Sequence, residues 1–328
     1  MPLIPFIRDA AGADSVAIDD GDLLTGGAIQ ENRALTVTIH GGAFDGRHDL
    51  VLRAEAAATI SESRPLDQQF ALLKTAAAAG VTVPRPLWYC GDAAVAGKPF
   101  YLMERVSGSA LGNRITRAGA QPALAETLAQ ELSRIHAITP PQAALGFLGA
   151  IRETPAVDAI ATYRAYLDEM PEPHPVLEWT LRWLETNAPP MGDTVLCHRD
   201  FRTGNYMVDD GDLTGVLDWE FAGWGDPHED IAWFCARCWR FAAPRLEAGG
   251  IAPRDVFYNA YEHASGRTID LKLVHYWETM AHVRWAVIAL QQAMRHRSGD
   301  EPSLELALIG RRLAEIEYEC LNLTGALR

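Results

Sequence analysis

The stretch C-H-R-D-F-R-T-G-N-Y-M-V at residues 197–208, with G-V-L-D-W-E at 215–220, decides how this chain is understood. Thr194–Cys197, Tyr206–Val208 and Val216–Leu217 have the composition of short strands. Asp209-Asp210-Gly211-Asp212 supplies a tight turn between the last two. The pattern predicts a strand, a loop and a hairpin, with Asp200 on the loop and Asn205 and Asp218 at strand ends facing one pocket. A carboxylate so placed can orient an acceptor hydroxyl and take its proton, the role expected of Asp200. Mg²⁺ prefers oxygen ligands and takes few of them from protein, which the Asn205 amide oxygen and the Asp218 carboxylate supply. His198, ahead of a strained loop, is expected to pack and to hydrogen-bond the backbone rather than to react.

Immediately downstream lies G-W-G-D-P-H-E-D-I-A-W-F, residues 223–234. Asp226 is placed as an N-cap, Pro227 as the first helical residue and Glu229 as the second half of a capping box. Asp230 then faces back toward the loop, where it could accept backbone N–H groups. Asp226 and Asp230 are therefore expected to be structural supports and not substrate contacts.

Working outward, the first hundred residues are expected to form strands and turns with one helix. Leu35–Ile39, Leu50–Arg53 and Phe100–Met103 are strands, and Gly41-Gly42 and Asp45-Gly46 mark turns. A helix is predicted over Pro65–Ala79 with Leu66, Phe70, Leu73 and Ala77 on one face and Gly80 as its stop. Beyond Ser107-Gly108 the pattern becomes helical, with Leu124, Leu128, Leu132 and Ile135 as an apolar stripe. The expected division is a sheet lobe over 1–106. A helical lobe over 107–328 would carry the catalytic loop, the metal ligands and the substrate site.

Bulk composition bounds the rest. Acids outnumber bases 43 to 29, a formal net charge of −14. Such a balance repels nucleic acid and anionic membranes, so neither is an expected partner. It suits either a cationic substrate or simple solubility, the latter being the commoner reason. No apolar run is long enough to span a bilayer, no leader-like start is present, and a cytoplasmic location is expected. The five cysteines are scattered. Cys235 and Cys238 form a CxxC inside a helical apolar pattern, which favours buried small side chains over a zinc site.

H-R-D-x-x-x-x-N, D-W-E in place of D-F-G, and G-D-P-x-x-D-I-A-W together resemble the aminoglycoside phosphotransferase and choline kinase superfamily. Within it the chain is similar to the phosphotransferase-like domains related to those fused to some acyl-CoA dehydrogenases. The likeness extends to Gly26-Gly27, V-L-R at 51–53, V-P-R-P at 83–86, F-Y-L-M-E-R-V at 100–106 and L-S-R-I-H at 132–136. It implies an α+β, bilobal protein-kinase-like fold, with a small antiparallel sheet in the first lobe and a larger, mainly helical second lobe. It further implies ATP or GTP in the cleft with Mg²⁺, a hinge at Glu104, Arg105 and Val106 whose backbone meets the purine, and a small-molecule hydroxyl acceptor.

Two positions depart from the common kinase pattern. Arg53 stands where a Lys usually pairs with the nucleotide phosphates, and Gln69 where its Glu partner is expected. Gln69 could still hydrogen-bond the guanidinium. The Gly26–Asn32 loop lacks a full G-x-G-x-x-G, so phosphate covering and a plain structural turn both stand for it. These departures keep open a second class of function, a nucleotide-binding pseudokinase with a regulatory or scaffolding role. For the acceptor, Trp233, Trp239, Trp277, Trp285, His275, His282 and Arg284 are candidates for the walls, each with core packing as the alternative. Net charge favours an aminoglycoside or a choline-like amine. The local Trp, His and Arg content favours a hydroxyl-bearing acid with Arg284 as its anchor, and the local signal weighs slightly more.

Overall fold

The computed structural model describes residues 2–24, 31–55, 63–151, 154–190, 192–299 and 301–327. The expected phosphate-covering turn at Gly26-Gly27 lies outside the described residues. Five strands, β1 (Ser15–Leu23), β2 (Glu31–His40), β3 (Gly46–Ala54), β4 (Pro86–Cys90) and β5 (Phe100–Glu104), form one antiparallel sheet in the order β1-β2-β3-β5-β4. Helices α1 (Leu3–Ala11), α2 (Leu66–Ala78) and the single turn α3 (Ala93–Ala96) accompany it. Helices then dominate: α4 (Gly112–Arg117), α5 (Pro122–His136), α6 (Pro155–Asp168), α7 (Pro175–Thr186), α8 (Pro227–Cys235), α9 (Arg254–Ser265), α10 (Leu271–Ser298), α11 (Leu304–Gly310) and α12 (Leu313–Leu323). Between α7 and α8 run β6 (Val195–Cys197), the hairpin β7 (Tyr206–Asp209) and β8 (Asp212–Val216), and β9 (Gly223–Gly225), which pairs with β6. This is the bilobal α+β, kinase-like architecture expected from the sequence.

The period-2 alternation of strands sorts the sheet into two faces. Leu50, Leu52, Phe100 and Leu102 pack with Leu3 and Ile7 of α1 in one core. Val51, Tyr101 and Met103 point the other way and join the large core built on α5, α9 and α10. Arg53, two residues beyond Val51, is thereby carried to the face that looks at the helical lobe. Helix α1 was not anticipated from the sequence. Its Pro5 falls in the first turn, where backbone N–H groups have no helical partner in any case, and Gly12 caps its C-terminus at φ +62°.

The predicted stripe on α5 is buried throughout, at Leu124, Leu128, Leu132 and Ile135. On α2 the deep face is Leu66, Gln69, Leu72, Leu73 and Ala76. It is rotated from the predicted face because Gln69 is turned inward and leaves Phe70 and Ala77 at the margin. Among the described residues no helix is long and apolar enough to cross a membrane. All five cysteines are free and buried, and burial raises the Cys235 and Cys238 thiols, consistent with packing side chains.

Where the two lobes join, Gly108 adopts φ +103°, and a Cβ there would lie 2.3 Å from the Val208 carbonyl oxygen. The adjacent Ser109 exchanges both backbone hydrogen bonds with Val208, so the link docks directly on the β7–β8 hairpin. Gly108→Ala is expected to cost about 1–3 kcal/mol or more, since it adds strain at positive φ to a backbone clash. Urea denaturation at pH 7 measures it; a midpoint equal to that of the unmodified protein would count against this account of the junction.

Candidate active site

The loop from His198 to Asn205 is fixed from below by Asp230. This fully buried carboxylate on α8 accepts the backbone N–H groups of His198 at 2.6 Å and Arg199 at 2.7 Å. Its Oδ2 also lies 3.3 Å from His136 Nε2, and the other His136 nitrogen meets the Tyr261 hydroxyl at 2.7 Å. Burial alone would raise the Asp230 pKa, but the His136 hydrogen bond, together with His198, outweighs it and holds the carboxyl below its ordinary value. Burial holds His136 low, hence neutral near pH 7. Asp230 so placed lets Arg199 keep φ +62°, a conformation costly for a residue with a Cβ. The His198 ring is buried, with Nε2 2.8 Å from the Leu217 carbonyl.

The start of α8 differs in one detail from the expected capping box. Asp226 is the N-cap and accepts from the His228 N–H at 2.8 Å. Glu229 is instead drawn to Arg199, 3.4 Å from its Nε, because a nearby guanidinium offers more than a single backbone N–H.

Asp200 is 9% exposed and hydrogen-bonded on both oxygens. Oδ1 accepts from Trp233 Nε1 at 2.9 Å and Arg202 Nε at 3.1 Å, and Oδ2 from the Asn205 amide. Asn205 spends its N–H groups on Asp200, which leaves its amide oxygen as the free donor atom. The Leu217 N–H donates to the Asn205 carbonyl at 2.8 Å and ties the segment before Asp218 to the loop. Asp218, at φ +58°, pairs with Arg53 at 2.8 Å. Burial raises the Asp218 pKa, but Arg53, Arg202 and His198 bring it below its ordinary value. For Arg53 burial works against the charge, and Tyr101, Asp218 and Glu220 more than offset it, so the guanidinium stays protonated. Burial and the Asp218 charge push Glu220 up, while its Oε2 accepts from Ser63 Oγ at 2.7 Å.

Gln69 does not reach the Arg53 guanidinium as a hydrogen-bond partner. Its amide donates to the Arg64 carbonyl at 2.6 Å, its oxygen is buried without a partner, and the Arg53 Nε–H is likewise buried and unpaired. At the expected hinge, the Glu104 N–H donates to the Arg85 carbonyl and the Arg105 N–H to the Asp49 carbonyl. No described residue receives the Val106 N–H.

The proposed wall residues divide. Trp233 touches Asp200, the Trp239 ring lies 5.1 Å from it, and Trp285 lies 4.6 Å from Trp239. Arg284 stacks on Trp233 at 4.5 Å and donates to the Arg199 carbonyl. Trp277 and His282 are core residues instead. His275 packs on Trp183 and borders a polar cavity of roughly 370 Å³ lined by Arg240, Arg254 and Glu278. One neighbour of Asp200, Arg202, was not singled out from the sequence. Its position two residues after an Asp on a loop was the available signal, and such spacing alone does not reveal a contact.

The sequence profile described as the phosphotransferase enzyme family matches residues 24–273. Acyl-CoA dehydrogenase family member 10 of Mus musculus is 31% identical over 193 residues, 57% of this chain and 18% of the mouse protein. The chain spans between 18% and 35% of the length of the curated relatives it matches. Among solved structures, a protein of Ralstonia eutropha described as an aminoglycoside phosphotransferase superposes with a TM-score of 0.77 at 21% identity, covering 99% of this chain and 98% of that one. An aminoglycoside phosphotransferase in ternary complex with AMP-PNP and hygromycin B gives a TM-score of 0.62 at 18% identity, covering 99% and 98%. These two likenesses are of fold.

Replacing Asp230 by Ala orphans two buried N–H groups and is expected to cost about 3–5 kcal/mol. Two pH effects follow for the unmodified protein. His136, neutral when folded, charges in the unfolded chain as pH falls through about 6.5, so stability declines below pH 7. Asp230, depressed when folded, adds a second decline as pH falls from about 4 through its folded value. Urea midpoints across pH 3–8 measure both; Asp230→Asn is expected to shrink the decline below about pH 4 and keep the one below pH 7, and a lower decline left unchanged would refute the assignment.

Proposed function

The chain belongs to the phosphotransferase enzyme family, and from that premise we propose that it transfers the terminal phosphoryl group of ATP or GTP to a hydroxyl of a small molecule. The observation that carries this reading is Asp200, oriented on both oxygens on a locked loop whose far end, Asn205, is tied to the strand leading to Asp218. In this reading residues 1–106 cover the nucleotide, with Glu104, Arg105 and Val106 as the hinge. The unreceived Val106 N–H suits an acceptor nitrogen of a purine. The acceptor enters from the side of Asp200, Trp233 and Trp239, on the lobe formed by residues 107–328.

The acceptor oxygen attacks the γ-phosphorus as the bond from that phosphorus to the β,γ-bridging oxygen breaks. The hydroxyl proton passes to Asp200, and the products are a phosphate monoester and the nucleoside diphosphate. Trp233 Nε1 and the Asn205 amide hold the carboxylate in one orientation. Arg53, with a buried and unpaired Nε–H, suits phosphate oxygens.

Asn205 and Asp218 offer an amide oxygen and a carboxylate, a donor set that fits Mg²⁺. When bound there, the ion would neutralise phosphate charge. His198, Asp226 and Asp230 serve as supports.

A second reading, a pseudokinase that binds nucleotide and regulates a partner, is favoured by one observation. Arg53 occupies the Lys position and is engaged with Asp218, with no acidic residue at 69.

Asp200→Asn is expected to lower transfer by roughly 10²–10⁴-fold while Mg²⁺-ATP affinity changes by less than about twofold. Calorimetry and ³¹P detection of the ester check this, and full turnover in the variant would sink the role of Asp200. Asp218→Ala is expected to weaken nucleotide binding in Mg²⁺ far more than in EDTA; equal loss in both would remove Asp218 from the metal site. If the unmodified protein binds Mg²⁺-ATP yet phosphorylates nothing in a broad hydroxyl panel, the pseudokinase reading prevails.

A further inference from the structure

Two arginines stand against Asp200 or the tryptophan that holds it, although the chain as a whole carries −14. Arg202 lies over the Trp239 ring at 4.3 Å, and its only described carboxylate partner is Asp200 itself. Arg284 lies over Trp233 at 4.5 Å and over Phe221 at 5.6 Å. Among the described residues it has no carboxylate within ion-pair distance, and it donates a hydrogen bond to the Arg199 carbonyl. Neighbouring acids are engaged elsewhere: Glu229 with Arg199, Asp218 with Arg53, and Glu220 with Ser63.

Arg202 is also seated by design of the backbone. Gly204 adopts φ +113°, and a Cβ there would fall 2.6 Å from Arg202 Nη1, so the missing side chain makes room for the guanidinium. Arg202 and Arg284 are both partly exposed, whereas the Trp233 and Trp239 rings behind them are buried. A guanidinium stacked on an aromatic face is held flat with its N–H edge outward, a geometry suited to a planar carboxylate or a phosphate oxygen.

We propose that Arg202 and Arg284, backed by Trp239 and Trp233, form an anion subsite beside Asp200, and that the acceptor is a hydroxylated molecule carrying a carboxylate or phosphate. This rests on Asp200 being the acceptor-side base. The anionic group draws Arg202 from Asp200, and the acceptor hydroxyl takes the vacated hydrogen-bonding position on Oδ1. An ammonium-bearing acceptor would instead meet two guanidiniums of its own charge.

The test uses three matched series of three to eight carbons: ω-hydroxy acids, α,ω-diols and ω-amino alcohols. Binding to the full chain in the presence of Mg²⁺-ATP is read by tryptophan fluorescence, since three indoles border the site. The best acid should bind about tenfold or more tightly than the best diol, and the best amine more weakly than the diol. Arg284→Gln should erase the acid advantage with diol binding retained, and Arg284→Lys should restore part of it. Arg202→Gln should reduce the advantage in the same way. A purely structural role for either arginine would weaken acids and diols alike. Tightest binding by the amines, acids no better than diols, or an acid advantage that survives both Gln variants would overturn the proposal. Its failure is separable from failure of the phosphotransferase reading, which is judged by Mg²⁺-ATP affinity and by transfer in Asp200→Asn.

Discussion

Asp230 sits fully buried at the first turn of α8 and takes two backbone N–H groups from the loop, with the His136 ring at its second oxygen. Each charge-assisted bond of this kind contributes about 1.5–3 kcal/mol net, against about 1–3 kcal/mol for the positive φ at Arg199. The bonds outweigh the strain, which is why the loop can hold a conformation that presents Asp200 upward. The same turn sends Trp233, three residues along α8, to the far side of Asp200, where its Nε1 donates to Oδ1. One short helix thus grips the loop backbone at one end and the loop carboxylate at the other. His136, from α5, anchors that helix to the main core.

Among the described residues, one group of polar bonds from the sheet lobe to this apparatus falls on residues 218–222. Arg53 reaches Asp218, Ser63 reaches Glu220, and Arg64 uses its backbone N–H on the Glu220 carbonyl and its Nε on the Ala222 carbonyl. Gln69 then holds the Arg64 carbonyl. Helix α2 is therefore coupled to the cleft through Arg64 and the backbone, not through an ion pair from its own middle. Such a linkage is directional and insensitive to salt, whereas an ion pair across a cleft would be screened as water enters.

The loop, the hairpin and the cap of α8 were legible in the sequence because their signals are local: turn chemistry, strand composition and fixed spacing. Leu35–Ile39, Leu50–Arg53 and Tyr206–Val208 all fall within strands, and Asp226 caps its helix. What spacing could not supply was contact between distant segments. Arg202 over Trp239, Arg284 over Trp233 and the choice of Glu229 for Arg199 depend on how helices pack, which no local pattern encodes. Helix α1 was missed because two prolines mask a short amphipathic turn that only packing against the sheet stabilises. The division among Trp233, Trp277, His275 and His282 on two helices likewise follows from which face each helix turns to the loop.

Arg53 and Gln69 make better physical sense as one coupled change than as two defects. Arg53 is 6% exposed. A lysine buried to that extent would lose charge unless a carboxylate faced it, because an ammonium is a strongly hydrated point charge whose pKa falls on desolvation. A guanidinium starts from a far higher pKa, and with Asp218 and Glu220 facing it Arg53 stays charged. A glutamate at 69 would add a third acid around Arg53, beside Asp218 and a Glu220 whose pKa burial and Asp218 already push up. Carboxylates crowded on one cation drive one another toward protonation. A neutral Gln69 that turns to the Arg64 carbonyl avoids this while keeping α2 attached to the cleft. With Asp218 and Glu220 already facing Arg53, no further acid is needed at 69, and its absence leaves the guanidinium attractive to an incoming anion.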